Sequence, residues 1–100
     1  MARTPERVVK DKVRKLLGEL DCYYVMPVTG GYGTQGAPDF LVCHRGRFIG
    51  IETKAGKGRT TTLQELNLSR IRNAGGVALV IYEDDIDRLK KCLYEIEIGE

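Results

Sequence analysis

The chain has 100 residues, of which 42% are hydrophobic and 30% are charged, and its formal net charge is +2. This length suits one small domain with its own core, over residues 1–100. We expect neither a membrane span, which needs about 18 consecutive apolar residues, nor a secretory signal peptide, and so small a net charge does not by itself indicate nucleic-acid binding.

The first predicted element is a helix that begins at Pro5. Thr4 is a suitable N-cap, proline fits the first helical position, and Glu6 suits the positive end of the helix dipole. Apolar residues then recur at helical spacing and predict one buried stripe: Val9, Val13, Leu16, Leu17 and Leu20. Glu6 extends this stripe, so it is either a plain first-turn acid or a carboxylate that leans over a site at the sheet.

A short strand over residues 23–28 comes next, and Pro27 indicates an edge position. The loop over residues 29–36 contains four glycines. It is not a P-loop, because no Gly-Lys-Ser/Thr closes it. Glycines let the backbone approach a ligand closely, although a plain connection fits the same pattern.

The most informative stretch is a predicted β-hairpin over residues 39–54. Two apolar segments flank Arg45-Gly46, and glycine suits the turn of a two-residue hairpin loop. The register that this turn imposes continues to a last pair, with Asp39 opposite Glu52.

The two carboxylates of that pair need a partner. Directly opposed side chains have Cβ atoms roughly 4.5–5.5 Å apart, where like charges are destabilising. Lys54 lies two residues after Glu52 and therefore points to the same face. Two interpretations fit equally: an ion pair at a strand end, or a site for a hard divalent ion such as Mg²⁺.

A basic segment, residues 55–61, follows the hairpin and resembles a flexible loop. Thr62 and Glu65 fit a capping box, which predicts a helix to residue 73 or 74 that ends at two glycines. The predicted core face of this helix consists of Leu63, Leu66, Ile71 and Ala74. Gln64 falls outside that face, so this pattern alone makes it a surface residue.

The last third of the chain predicts a strand and a helix. The apolar run over residues 77–81 predicts an interior strand, parallel to its neighbour because a helix connects the two. Asp84 or Asp85 is the candidate N-cap of the last helix, whose apolar side is formed by Ile86, Leu89, Leu93 and Tyr94. The alternating tail, residues 95–98, fits a short strand or an intermolecular contact. The predicted fold is α/β, a mixed central sheet flanked by helices in the order α-β-β-β-α-β-α.

The cysteines and the histidine restrict the chemistry. Cys22, Cys43 and Cys92 are odd in number, widely spaced and without a C-x-x-C pair, which predicts free thiols in a cytoplasmic protein, or in the host cytoplasm for a viral one. His44 is the single histidine, which argues against a zinc cluster. It argues equally against a Ser-His-Asp arrangement, for which no nucleophile motif exists.

Pro38-Asp39 followed by Glu52-Thr53-Lys54 resembles the signature of the PD-(D/E)XK nuclease superfamily. The small size, the Gly-rich approach to Pro38, and the Gln64 helix before Gly75-Gly76 are similar to the virus-type replication-repair nuclease (VRR-NUC) domain. The resemblance covers about residues 6–81. It implies a restriction-endonuclease-like fold and metal-dependent hydrolysis of DNA phosphodiester bonds.

The resemblance also implies roles for individual residues. Asp39, Glu52 and the Thr53 backbone carbonyl would hold one or two Mg²⁺ or Mn²⁺ ions, and the resemblance favours Glu6 as a further metal ligand. Lys54 and Gln64 would complete a catalytic set with Asp39 and Glu52.

Substrate and partners are expected on the same basis. Domains of this kind act as homodimers on branched DNA such as Holliday junctions, and the first helix, the last helix and the tail are the candidate interfaces. We expect Tyr32, Gln35, Lys57 and Arg59 to contact DNA. The alternatives are a nuclease that acts on flaps or other DNA, a non-catalytic DNA-binding module with the same fold, and an interaction protein with surface acids only.

Overall fold

The structure is a computed structural model that describes residues 3–28 and 35–99. Over these residues it contains three helices and four strands, in the predicted order. They are α1 (Pro5–Glu19), β1 (Tyr23–Val25), β2 (Phe40–His44), β3 (Arg47–Thr53), α2 (Thr62–Asn73), β4 (Val77–Ile81) and α3 (Ile86–Glu97). The predicted fold class is confirmed. None of these helices is long and apolar enough to cross a membrane.

The strands form one mixed sheet in the order β1-β2-β3-β4. β1, β2 and β3 pair antiparallel, and β4 pairs parallel to β3. The parallel crossover is therefore as predicted, but β4 lies at the sheet edge, so the prediction of an interior strand is wrong. Its apolar run has another cause, since both α2 and α3 pack against β4.

The hairpin forms with the predicted turn. Arg45 and Gly46 have φ angles of 53° and 81°, which is the turn geometry that matches the twist of paired strands. Pairing follows the predicted register up to Phe40 opposite Ile51 and stops there. Asp39 lies outside the strand, so the predicted ladder pair with Glu52 does not form, and the Asp39 side chain turns to other partners described below.

The core lies on the face of the sheet that α1 and α3 cover. Thr4 caps α1 as predicted and accepts a hydrogen bond from the Arg7 N–H at 3.2 Å. The α1 stripe and two α3 residues pack against the alternate residues of β2 and β3 and against Ile81. The members of this core are Val9, Val13, Leu16, Leu17, Phe40, Val42, Ile49, Ile51, Ile81, Leu89 and Leu93.

α2 packs on the opposite face, and its orientation differs from the prediction. Leu63 is 41% exposed and Leu66 is 51% exposed, while Leu68 is buried. Ile71 is half-buried and Ala74 is exposed, so most of the predicted core face is wrong. The helix approaches the sheet so closely that a Cβ atom at Gly50 would lie 2.6 Å from the Cδ1 of Ile71.

The tail belongs to α3, which extends to Glu97, and forms no strand. Asp85 is the N-cap of this helix by position, but its side chain accepts a hydrogen bond from the Tyr82 N–H at 2.9 Å and makes no capping hydrogen bond to the helix backbone. Leu89 and Leu93 are buried as predicted, whereas Tyr94 is 46% exposed.

Candidate active site

Two carboxylates meet where β2 begins and β3 ends. Asp39 directly precedes β2, and Glu52 is the last residue but one of β3. Side chains alternate along β3, so Ile49 and Ile51 enter the core while Gly50 and Glu52 face α2. The hairpin register thus brings the predicted pair to one corner of the sheet, even though Asp39 is outside the ladder.

Asp39 is held by hydrogen bonds through one of its two oxygens. Oδ2 accepts the backbone N–H of Thr53 at 3.0 Å and also the Thr53 hydroxyl. Oδ1 lies 3.8 Å from the Nζ of Lys10, which reaches it from α1. One carboxylate oxygen is therefore occupied by β3, and the other faces a single, loosely placed ammonium group.

Glu52 is 2% exposed, and its two oxygens also differ. Oε2 accepts a hydrogen bond from the Gln64 Nε2 at 3.1 Å and lies 3.3 Å from the Lys54 Nζ. Oε1 is buried and has no hydrogen-bond partner among residues 3–28 and 35–99. Such an orphaned buried carboxylate oxygen is costly unless a cation or a proton satisfies it.

The environment of Glu52 favours its protonated form. Burial, and secondly the charge of Asp39, raise the pKa of the Glu52 carboxyl from 4.5 to about 7. Lys54, and after it the backbone N–H of Asp39, act in the opposite direction and offset this only in part. A carboxyl with these properties accepts a divalent ion readily, because the ion removes the repulsion and satisfies the free oxygen at once.

Gln64 is oriented by the start of α2. The N-cap is Thr61, one residue before the predicted Thr62, so Gln64 and not Glu65 occupies the third helical position. The Gln64 Oε1 accepts the Thr61 N–H at 2.9 Å, and its Nε2 donates to Glu52. Because the Thr61 N–H can only donate, the amide orientation is fixed, and the helix cap directs an N–H group at the carboxylate.

Another predicted ligand, Glu6, is connected to the pair through a lysine. Its Oε2 lies 3.6 Å from the Lys10 Nζ, which also contacts Asp39. The described residues contain no group of three His, Cys, Asp or Glu side chains placed to hold a metal. The donors that fit a divalent ion are thus Asp39 and Glu52, each with one oxygen free of hydrogen bonds. Sequence reasoning missed Lys10, although its spacing of four from Glu6 places both on one helix face.

The predicted DNA-contacting residues lie in two places. Lys57 and Arg59 are exposed on the loop after β3, beyond the Lys54 end of the site. Gln35 is exposed, and its carbonyl accepts a hydrogen bond from the Asn67 Nδ2 at 3.1 Å. Tyr32 lies outside the described residues.

His44 is at the opposite end of β2 and belongs to a separate cluster. Its Nδ1 lies 3.3 Å from the Cys22 Sγ, and its Nε2 lies 3.2 Å from the Glu97 Oε1. Burial, with the charges of Glu97 and Asp21, raises the pKa of the Cys22 thiol to about 11. The thiol is therefore protonated near neutral pH, and the cluster ties the end of α3 to the hairpin without supplying a thiolate nucleophile.

A solved structure described as a VRR_NUC domain is similar to this chain. The two superpose with a TM-score of 0.75 at 24% sequence identity, over 89% of this chain and 97% of the other. The chain has the VRR-NUC fold. No family model matches the sequence, and no curated protein matches it. The likeness in fold agrees with the resemblance found in the sequence, and the carboxylate pair lies within the VRR-NUC fold at the corner formed by β2, β3 and α2.

Proposed function

We propose that this protein is a Mg²⁺- or Mn²⁺-dependent endonuclease that hydrolyses DNA phosphodiester bonds. The observation that carries the proposal is the Glu52 Oε1, which is buried and lacks a partner among the described residues, beside a second carboxylate. The VRR-NUC fold supports a DNA-processing function for a site with these residues.

A bound divalent ion would supply two effects: it would lower the pKa of the attacking water and offset negative charge on the scissile phosphate. The chain's own residues prepare for this. Thr53 fixes Asp39 through Oδ2, and Gln64 fixes Glu52 through Oε2, so each carboxylate presents its other oxygen to the ion. The Thr53 backbone carbonyl and Glu6 remain proposed as further ligands.

Lys54 has a separate proposed role. Its side chain is 12% exposed, and its ammonium group lies 3.3 Å from the Glu52 Oε2. From this position it neutralises the phosphate or orients the water, while Gln64 holds the carboxylate that Lys54 contacts. Asp39, Glu52, Lys54 and Gln64 form the proposed catalytic set.

We further propose a homodimer that acts on branched DNA such as Holliday junctions, since a two-fold dimer presents two sites to two strands. The apolar stripes of α1 and α3 are buried in the core and are not available as the interface. The exposed apolar residues of the described chain lie elsewhere: Tyr23, Val25, Met26, Val28, Phe48, Leu63, Leu66, Tyr94 and Ile98. The tail therefore remains a candidate, together with β1 and the outer face of α2.

The test is a cleavage assay on a four-way junction, a flap, a duplex and a single strand, with Mg²⁺, with Mn²⁺ and with a chelator. Asp39→Asn, Glu52→Gln and Lys54→Met should each lower the rate on the order of 100-fold or more, as expected for removal of a group that stabilises transition-state charge. Glu19→Gln, an exposed acid on α1, is the matched control and should cut like the wild type. Full-rate cutting by all three site variants would refute the assignment.

The same assay separates the non-catalytic alternative. A DNA-binding module without catalysis would bind the substrates and leave them intact at every metal concentration. Calorimetric titration with Mg²⁺ adds an independent measurement, because such a module has no need of an ion at Glu52. Binding of DNA without either cutting or Mg²⁺ binding would favour that alternative.

A further inference from the structure

The basic loop after β3 is fixed by two residues that follow β4. The Gly56 N–H lies 3.1 and 2.9 Å from the two carboxylate oxygens of Glu83 and donates to them. The Tyr82 hydroxyl donates to the Gly58 carbonyl at 2.7 Å. From the sequence, this segment is predicted to be a flexible loop. Its own residues give no indication of these hydrogen-bond partners, which lie 24 and 27 positions further along the chain.

These contacts shape a cleft on the side of the active site. Its volume is about 500 Å³, and it is lined by Gly56, Lys57, Gly58, Arg59 and Tyr82. Both cations of the loop are therefore part of its wall. A carboxylate beside two cations lowers the local positive charge. By charge alone, Glu83 therefore disfavours binding of an anion, and it favours binding only if its fixing of the loop backbone outweighs this repulsion.

The position of the cleft connects it with the proposed reaction. β3 and β4 are parallel and end together, with Thr53 opposite Ile81. The Lys54 N–H donates to the Ile81 carbonyl at 3.0 Å, so the loop and the segment that holds it leave the sheet side by side. Lys54 and this cleft therefore lie together beyond the carboxyl ends of these two strands.

We propose that Tyr82 and Glu83 are positioning residues that hold the loop in the shape that binds a backbone phosphate of DNA next to the cut site. Lys57 and Arg59 contact the phosphate, and Tyr82 and Glu83 act through the loop backbone without touching the substrate. This inference rests on the proposed nuclease function. Two cations on a fixed turn bind a phosphate with less loss of chain entropy than two cations on a mobile loop.

The proposal predicts a change of affinity opposite in sign to that of simple electrostatics. Glu83→Ala removes one negative charge beside the cations, which by charge alone would tighten DNA binding. Loss of the fixed loop should instead weaken binding about tenfold, because the loop loses its hydrogen bonds to the Glu83 carboxylate and must then be ordered when DNA binds. Asp84→Ala, an exposed neighbour, makes the same charge change and should bind as tightly as the wild type or more tightly. Tyr82→Phe changes no charge and should weaken binding by about threefold, the value of one neutral hydrogen bond.

Two measurements test this on the full chain. Fluorescence anisotropy with a labelled four-way junction and with a duplex, in a chelator that prevents cutting, gives the dissociation constants. Amide hydrogen exchange of residues 55–59 without DNA should be faster in Glu83→Ala and Tyr82→Phe than in Asp84→Ala. Weaker binding together with faster exchange supports the proposal.

Contrary results are distinguishable from a failure of the proposed function. If the wild type cuts DNA but Glu83→Ala binds as tightly as Asp84→Ala, the positioning role is wrong and the nuclease function stands. Unchanged exchange at Gly56 in Glu83→Ala would overturn the role in the same way. A wild type that neither binds DNA in the chelator nor cuts it with Mg²⁺ or Mn²⁺ would overturn both proposals.

Discussion

Glu52→Gln is expected to change how the stability of the protein depends on pH. Burial and the charge of Asp39 raise the pKa of the Glu52 carboxyl from 4.5 to about 7 in the metal-free protein. A carboxyl with a raised pKa favours the native state in its protonated form. Its contribution to stability is fully present below pH 4.5, the unfolded value, and is lost as the pH rises through about 7, the folded value. Glutamine keeps the shape of the side chain and does not titrate.

The magnitude follows from the size of the shift. An increase from 4.5 to about 7 corresponds to about 3 kcal/mol, because one pKa unit is worth about 1.4 kcal/mol. Between about pH 4 and about pH 8, the free energy of unfolding of the wild type should therefore fall by about 3 kcal/mol relative to the variant. The prediction concerns the difference between the pH profiles of the wild type and the variant. Loss of the Lys54 contact also changes the variant's free energy of unfolding, but by a roughly constant amount at every pH.

The assay is urea unfolding in the presence of a chelator at several pH values. Glu19→Gln is the control, and its profile should run parallel to that of the wild type. Addition of Mg²⁺ near pH 8 should then stabilise the wild type more than Glu52→Gln, because an ion that binds only the native state raises its stability by mass action. Parallel profiles for the wild type and Glu52→Gln would refute the view that Glu52 is a buried carboxyl whose charge is only partly compensated.

Three further outcomes are expected. Gln64→Glu should keep the capping box but place a further carboxylate against Glu52, and urea unfolding near pH 8 should show a loss of about 3 kcal/mol; an unchanged midpoint would contradict the contact. Thr53→Val removes one of the two donors to Asp39 and should lower stability by about 1 kcal/mol and weaken Mn²⁺ binding in calorimetry, whereas unchanged affinity would mean that Asp39 is oriented without it. Cys43 is exposed, and mass spectrometry should find it alkylated first, because burial raises the pKa of the other two thiols.

The hairpin could be predicted because its turn and its register depend on residues that are close together in the sequence. A two-residue turn requires positive φ angles, glycine at Gly46 provides one of them, and the period-2 pattern then fixes every pair up to Phe40 opposite Ile51. The nearness of Asp39 to Glu52 follows from this register even though regular pairing stops one residue earlier. The start of α1 was equally local, since cap, proline and acid are consecutive.

The start of α2 could not be decided in the same way. Thr61 and Thr62 are both acceptable caps, and a capping box with either Gln64 or Glu65 satisfies the sequence pattern. The choice depends on the sheet: with Thr61 as the cap, Gln64 reaches Glu52, and Leu68 and Ile71 follow on the same helix face, at spacings of four and seven. Leu63 and Leu66 are left exposed as a result, which no local pattern indicates.

The sequence could indicate which side chains come together at the candidate site but not which of their atoms remain free. Thr53 occupies the Oδ2 of Asp39, and Gln64 occupies the Oε2 of Glu52. Both donors are fixed by backbone elements, one by the end of β3 and the other by the cap of α2. A carboxylate held through one oxygen keeps the second available without being free to rotate, which is the arrangement that a divalent ion requires of its ligands. Burial and the nearby charge of Asp39 raise the pKa of Glu52, so the geometry that weakens the metal-free fold at high pH is the one on which the proposed metal site depends.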